Sequence, residues 1–207
     1  MRFRGTVRSG WIRWAGLMAA LGGALWIPYG IFEMLQPWGT DTVYKDAVGY
    51  EVIVNVPLYR LYSVPGSLAL LLTALGLLGT LALLRLPAGR AGKVGHILAY
   101  IAVLLAVISL GGVLALFDPV FTACRIFGTL ALGTATVLAA ADAQRAGRTP
   151  GWAIALLLLG LVGMFLFPLW PLVHALEWLS EGAGAGVIAL FGLGWLATGY
   201  RLWSTTN

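Results

Sequence analysis

Few residues in this sequence are equipped for chemistry, and the most distinctive is an arginine set in an apolar run. Asp118, Thr122, Arg125, Thr129, Gly133 and Thr136 recur at steps of three and four, so on a helix they share one face. The rest of that segment is Ala, Leu, Ile, Val and Phe. Arg125 lies about 10 Å along a helix axis from Asp118, inside hydrocarbon but within one long side chain of its edge. An ionisable group so placed needs a partner or a wet cavity. The best acidic candidate is Glu33, on a face with Gly22, Trp26, Tyr29 and Gln36. Two readings stand side by side: a structural ion pair or snorkelling cation that fixes packing, and a group that contacts a ligand. On the second reading the candidate ligand-binding residues are Arg125, Glu33, Tyr29, Trp26 and Thr122, joined by Trp170 and His174.

The last two belong to a second cluster, Trp170, His174, Glu177, Trp178 and Glu181, at helical spacing after Pro168 and Pro171. A His-x-x-Glu face can bind a divalent metal, but a convincing site needs several fixed ligands and a second shell. A lone histidine beside acids at a water interface is more often simply solvated, so no metal and no cofactor is expected. His96 and His174 fall at opposite ends of their spans, about 30 Å apart, too far to share one haem. Cys124 is the single cysteine, which excludes an internal disulfide and any thiolate-rich centre, and it reads as a small apolar filler. There is no phosphate-binding or dinucleotide glycine motif, no His-Glu-x-x-His, no Gly-x-Ser-x-Gly and no pair of intramembrane aspartates. An enzyme would have to work with Glu33, Arg125 and His174 and no recognisable nucleophile. No acid falls near the middle of any span, so a proton-coupled carrier lacks its usual relay group.

The elements that position these residues follow from composition. The 207 residues are 60% hydrophobic and 10% charged, with mean hydropathy +0.90, against about 25% charged in a soluble domain. Runs long enough to cross a bilayer fall at 11–35, 62–84, 96–117, 119–141, 152–173 and 183–203. The expected fold is therefore all-α, one domain over 1–207, a bundle of six transmembrane helices. Gly/Pro/Arg turns separate spans two and three (86–93) and spans four and five (144–150). Between spans three and four the break is Phe117-Asp118-Pro119, with Asp118 expected to cap the next helix and Pro119 to open it. In the longest loop, 37–61, the β-branched stretch from Glu51 to Val56 suggests a short strand or interfacial segment.

Orientation follows from the cations, which are retained on the cytoplasmic side near span ends. With both termini inside, Arg2, Arg4, Arg8, Arg13, Arg85, Arg90, Lys93, Arg145, Arg148 and Arg201 are cytoplasmic, against Lys45, Arg60 and Arg125 in the outer half. Trp11, Trp14, Tyr100, Trp152, Tyr200 and Trp203 then mark the inner interface, and Trp38, Tyr62, Trp170 and Trp178 the outer one. The net charge of +5 belongs to span flanks facing anionic lipid, so membrane lipids are the expected partners and nucleic acid is not. The first apolar run is too long for a cleaved signal peptide and reads as a retained helix. Small residues four apart, as in Ala15/Ala19/Gly23, Ala102/Ala106, Ala131/Ala135/Ala139 and Gly182/Gly186, suit close helix packing in lipid. The excess of Arg over Lys with abundant Ala, Leu and Gly points to a bacterial plasma or inner membrane.

The expected function is non-enzymatic: an accessory subunit of a larger membrane complex, or a binder of an amphipathic ligand from the outer leaflet. A small-solute transporter is the alternative, and an intramembrane enzyme comes last. The ligand site is expected at the outer ends of spans one, four and five, under the 37–61 loop, and to suit an apolar body with an anionic or carbonyl head. The topology is open to direct test in a Cys124→Ala background. Cysteines introduced at Thr42 and Ala146 should react with an impermeant thiol reagent from opposite sides of the membrane; reaction of both from one side would sink the six-span arrangement.

Overall fold

The computed structural model describes residues 3–35, 41–84, 90–147, 150–167 and 183–204. These form six helices and one short hairpin: α1 (Phe3–Leu35), β1 (Thr42–Lys45), β2 (Tyr50–Ile53), α2 (Val56–Leu84), α3 (Arg90–Leu114), α4 (Asp118–Arg145), α5 (Pro150–Phe165) and α6 (Ala183–Ser204). Among the described residues, the four helices α1 to α4 are long and apolar enough to cross a membrane, and α5 is a shorter apolar helix. Their surface is that of a membrane protein. On α3 the large side chains Ile97, Leu104 and Val107 point outward while Ala99, Ala102 and Ala106 are fully buried, the reverse of a helix folded in water. Such continuous apolar surface is tolerated where lipid covers it.

Inward-facing small residues let the helices approach. α1 packs against α6 and α2, α4 packs against α3 and α5, and α2 bridges the two groups through α3 and α4. Ala15 and Ala19 meet Gly79 and Gly76 of α2. The α1–α6 contact runs on a seven-residue step instead, Gly16 and Gly23 against Gly199 and Gly192 of an antiparallel neighbour. A methyl group on Gly192 would lie 2.6 Å from the Gly23 carbonyl oxygen, and one on Gly16 would lie 2.8 Å from the Trp203 amide. Between α4 and α5, Gly133 and Gly160 meet in the same way. Ala131, Ala135 and Ala139 are buried as expected, whereas the Gly182/Gly186 pair cannot be followed because Gly182 lies outside the described residues.

Local chemistry sets the helix ends, several of which differ from the expected spans. α2 begins at Val56, well before 62, because the side-chain oxygen of Asn55 accepts the Leu58 amide at 3.2 Å and caps it. This brings Tyr59 into the bundle. α3 begins at Arg90, ahead of 96, and ends in a Schellman turn: the Phe117 amide donates to Gly112 O (2.9 Å) and the Leu116 amide to Val113 O (3.2 Å). Asp118 is not the cap of α4. Phe117 occupies that position without a side-chain cap bond, and Asp118 is the first helical residue, its carboxylate taken by the Thr122 hydroxyl at 3.2 Å. The helix of span five ends at Phe165, short of 173, and residues 168–182 lie outside the described part. β1 and β2 pair antiparallel from Thr42↔Ile53 to Lys45↔Tyr50, so the first part of the β-branched stretch, to Ile53, is a strand, while Val56 opens α2. Two expected interfacial aromatics are buried: Tyr62 under the hairpin, bonded to Asp41, and Trp152 beneath Arg201. Their rings meet protein groups before they can meet lipid.

Leu116 occupies the left-handed position of the Schellman turn at φ 57°, where a side chain costs about 1 kcal/mol or more and glycine costs almost none. Leu116→Gly should therefore raise the unfolding temperature in detergent, by the equivalent of about 1 kcal/mol; a fall would show that the half-exposed leucine contributes more by packing than it loses by strain.

Candidate functional site

At the hairpin end of the bundle one face of α1 meets one face of α4 across α2. Glu33 stands one helical turn beyond Tyr29, so both project the same way, and the Tyr29 hydroxyl donates to Glu33 Oε1 at 2.5 Å. Arg125 reaches over from α4, its Nη1 donating to the same carboxylate oxygen at 3.0 Å and to the Tyr29 hydroxyl. The guanidinium carbon sits 4.8 Å from the ring centre of Phe121, 4.7 Å from that of Phe167 and 5.8 Å from that of Tyr29, so aromatic faces supply the solvation that water would otherwise give. The pair is mostly enclosed, with side-chain exposures of 16% for Arg125 and 23% for Glu33.

Around this ion pair the aromatic rings form a continuous body. Tyr29 stacks on Tyr62 at 6.3 Å, and Tyr59 meets Tyr62 and Phe121 edge to face at 6.1 and 5.9 Å. Gly66 leaves room for the Tyr29 ring: a Cβ there would be 2.9 Å from its Cε2. The Tyr62 hydroxyl donates to Asp41 Oδ2, while the Asp41 carbonyl accepts the Val54 and Asn55 amides at 2.7 and 3.1 Å. One residue thus ties the base of the hairpin to the start of α2. The Tyr50 ring of β2 rests on Phe117 at 5.8 Å, which lays the hairpin over the end of α4.

The structure brings Arg125, Glu33 and Tyr29 of the expected set into direct contact. Trp26 is next to them but deeper: fully buried, edge-on to Tyr29 at 5.6 Å and to Phe191 at 5.7 Å, its indole N–H reaching Thr73 Oγ1 at 3.5 Å. Thr122 lies one turn from Arg125 towards Asp118 and uses its hydroxyl on that carboxylate. Farther along the polar face, Thr129 and Thr136 are buried with their hydroxyls bonded to carbonyls of their own helix, Arg125 O at 2.8 Å and Leu132 O at 2.7 Å. They add no polar lining. Trp170 and His174, with Glu177, Trp178 and Glu181, lie outside the described residues.

Sequence reasoning missed Tyr59, Tyr62, Ser63 and Asp41 as members of this centre. Their signal was the spacing of Tyr59, Tyr62, Ser63 and Gly66 on one helical face, hidden because the expected span began at 62. Among the described residues the buried Arg125 Nε has no hydrogen-bond partner, and the buried Tyr59 and Ser63 hydroxyls have only each other and Asp118 within reach. Electrostatically the Tyr59 hydroxyl interacts with Asp118, Arg125 and Ser63, so the three belong to one neighbourhood. A buried donor left unpaired costs about 1–3 kcal/mol, which makes such a group a place for a water or a ligand oxygen. No family model matches this chain, and no curated protein or solved structure matches it either.

The ion pair also has a mechanical role, since α1 and α4 pack mainly against other helices and Arg125 spans the gap. Removing one partner of a buried pair costs about 3–5 kcal/mol, and the partial exposure here places Arg125→Ala at the lower end, about 3 kcal/mol. Glu33→Ala/Arg125→Ala should recover part of that loss in a detergent unfolding assay; a double mutant as unstable as the sum of the single ones would show that the two side chains act independently.

Proposed function

We propose that the chain is a multi-pass protein of a bacterial plasma membrane with six spans and both termini on the cytoplasmic, arginine-rich side. It works without covalent chemistry, alone or as an accessory subunit, by holding the head of an amphipathic ligand at the Arg125 centre. The six-span reading draws support from α6, which follows α1 antiparallel from Gly16 and Gly199 to Gly23 and Gly192, and from α5, apolar throughout. The outward assignment of the hairpin end rests on the cation distribution.

The observation that carries the ligand reading is the buried Arg125 Nε, without a partner among the described residues, with the Tyr59 and Ser63 hydroxyls in its neighbourhood and aromatic rings around them. One guanidinium N–H and two hydroxyls complement an oxygen acceptor, and the rings complement an apolar body. Two carboxylates, Glu33 and Asp118, act on the Arg125 guanidinium, and a third, Asp41, is held by Tyr62 beyond Tyr29. A full anion brought here would meet more like charge than opposite charge, so a neutral carbonyl or hydroxyl head fits better than a carboxylate or phosphate. A monoacylglycerol or fatty alcohol has that form.

Arg125→Lys separates ligand binding from the ion pair, because lysine keeps the charge beside Glu33 and lacks the Nε donor. In mild detergent, monoolein should raise the unfolding temperature of the unaltered protein, oleate should raise it less, and Arg125→Lys and Ser63→Ala should each lose most of the monoolein effect. Equal response of all three proteins to monoolein would remove the ligand reading and leave the ion pair as a packing device.

A further inference from the structure

At the opposite end of the bundle, a groove of about 640 Å³ opens on the surface of the α1–α6 pair, and its wall is apolar almost throughout. Leu17 and Ala20 of α1 form one side; Leu193, Ala197, Tyr200 and Trp203 of α6 form the other. From Leu193 to Trp203 the groove runs about 15 Å at the helical rise. That is half of the roughly 30 Å hydrocarbon core, hence the depth of one leaflet. It ends at a cation: the guanidinium carbon of Arg13 lies 4.5 Å from the Trp203 ring centre. Arg13 shares a helix face with Leu17 and Ala20, three and four residues apart, and is exposed. At the same end of the helix pair Tyr200 and Trp14 are 73% and 61% exposed, the amphipathic rings found at headgroup depth.

An apolar channel one leaflet long, closed at the headgroup end by an exposed guanidinium over the Trp203 ring, is complementary to a single lipid. We infer that this groove seats one acyl chain of an anionic phospholipid from the leaflet at the arginine-rich end, with the lipid phosphate against Arg13. Arginine suits the phosphate because its fork offers paired N–H donors. A second membrane-crossing helix would need a groove along the whole span, about twice this length. The site is independent of the Arg125 centre and asks for opposite head chemistry, so failure of one leaves the other untouched.

The test is native mass spectrometry of the full chain, released from mixed micelles holding equal phosphatidylglycerol and phosphatidylcholine with identical acyl chains. One phosphatidylglycerol should stay bound, favoured about fivefold, as expected of one basic residue worth about 1 kcal/mol at the membrane surface. Arg13→Gln should abolish the preference and Arg13→Lys should keep much of it. Ala197→Phe, which fills the groove from an exposed position, should reduce retention of both lipids, while Leu158→Phe on the exposed face of α5 should change nothing. Equal retention of the two lipids by the unaltered protein, or unchanged retention in Ala197→Phe, would overturn the inference. So would a dimer that Ala197→Phe splits, since it would give the groove to a second copy of the chain.

Discussion

A guanidinium carried on an apolar helix must find its counter-charge inside the protein, and the hairpin end of this bundle is arranged around that requirement. Arg125 belongs to the α3–α4–α5 group and Glu33 to the α6–α1–α2 group, so their 3.0 Å contact joins two sets of helices that also meet through α2 and, more lightly, between α5 and α6. The same demand fixes Tyr29, whose hydroxyl accepts from Arg125 and donates to Glu33, and through ring stacking it fixes Tyr62 and Tyr59. Tyr62 in turn holds Asp41 and the hairpin. A chain of contacts thus leads from one charge to the loop above it. In a low-dielectric setting each link is stronger than in water, and each unmade link costs more.

Away from that charge the helices are held by proximity alone. With little water to expel from between apolar surfaces, attraction comes from dispersion, which falls off within a fraction of an ångström of separation. Alanine and glycine at the contacts allow that distance, and the large aliphatic side chains are turned outward. Hydroxyl groups obey the same economy of polar atoms: Thr73, Thr80, Thr129 and Thr136 are buried and bonded to carbonyls of their own helices.

What could be read from the sequence was what depends on spacing within one helix. The step of three and four marked the Arg125 face, the same step paired Glu33 with Tyr29, and the β-branched run marked a strand. Contacts that depend on a helix end, or on two helices at once, were not legible. Asn55 as a cap lies inside what reads as a loop, so α2 seemed to start after Tyr59, and half of the aromatic body went unnoticed. The seven-residue glycine step of α1 and α6 is invisible until the two helices are known to be neighbours. Tyr62 and Trp152 look like interfacial anchors because their position along a span says nothing of which way they face.

The close contact of glycine against glycine between α1 and α6 joins elements at opposite ends of the described chain. In a growing polypeptide α1 is made well before α6, and the surface at Gly16 and Gly23 stays without that partner until α6 has left the ribosome. Until then α1 can rely on α2 alone, through Ala15, Ala19, Gly76 and Gly79. The arrangement delays closure of α1 until α6 is made, as long-range contacts generally do, and leaves a bare glycine face that any neighbouring nascent helix with small residues can borrow.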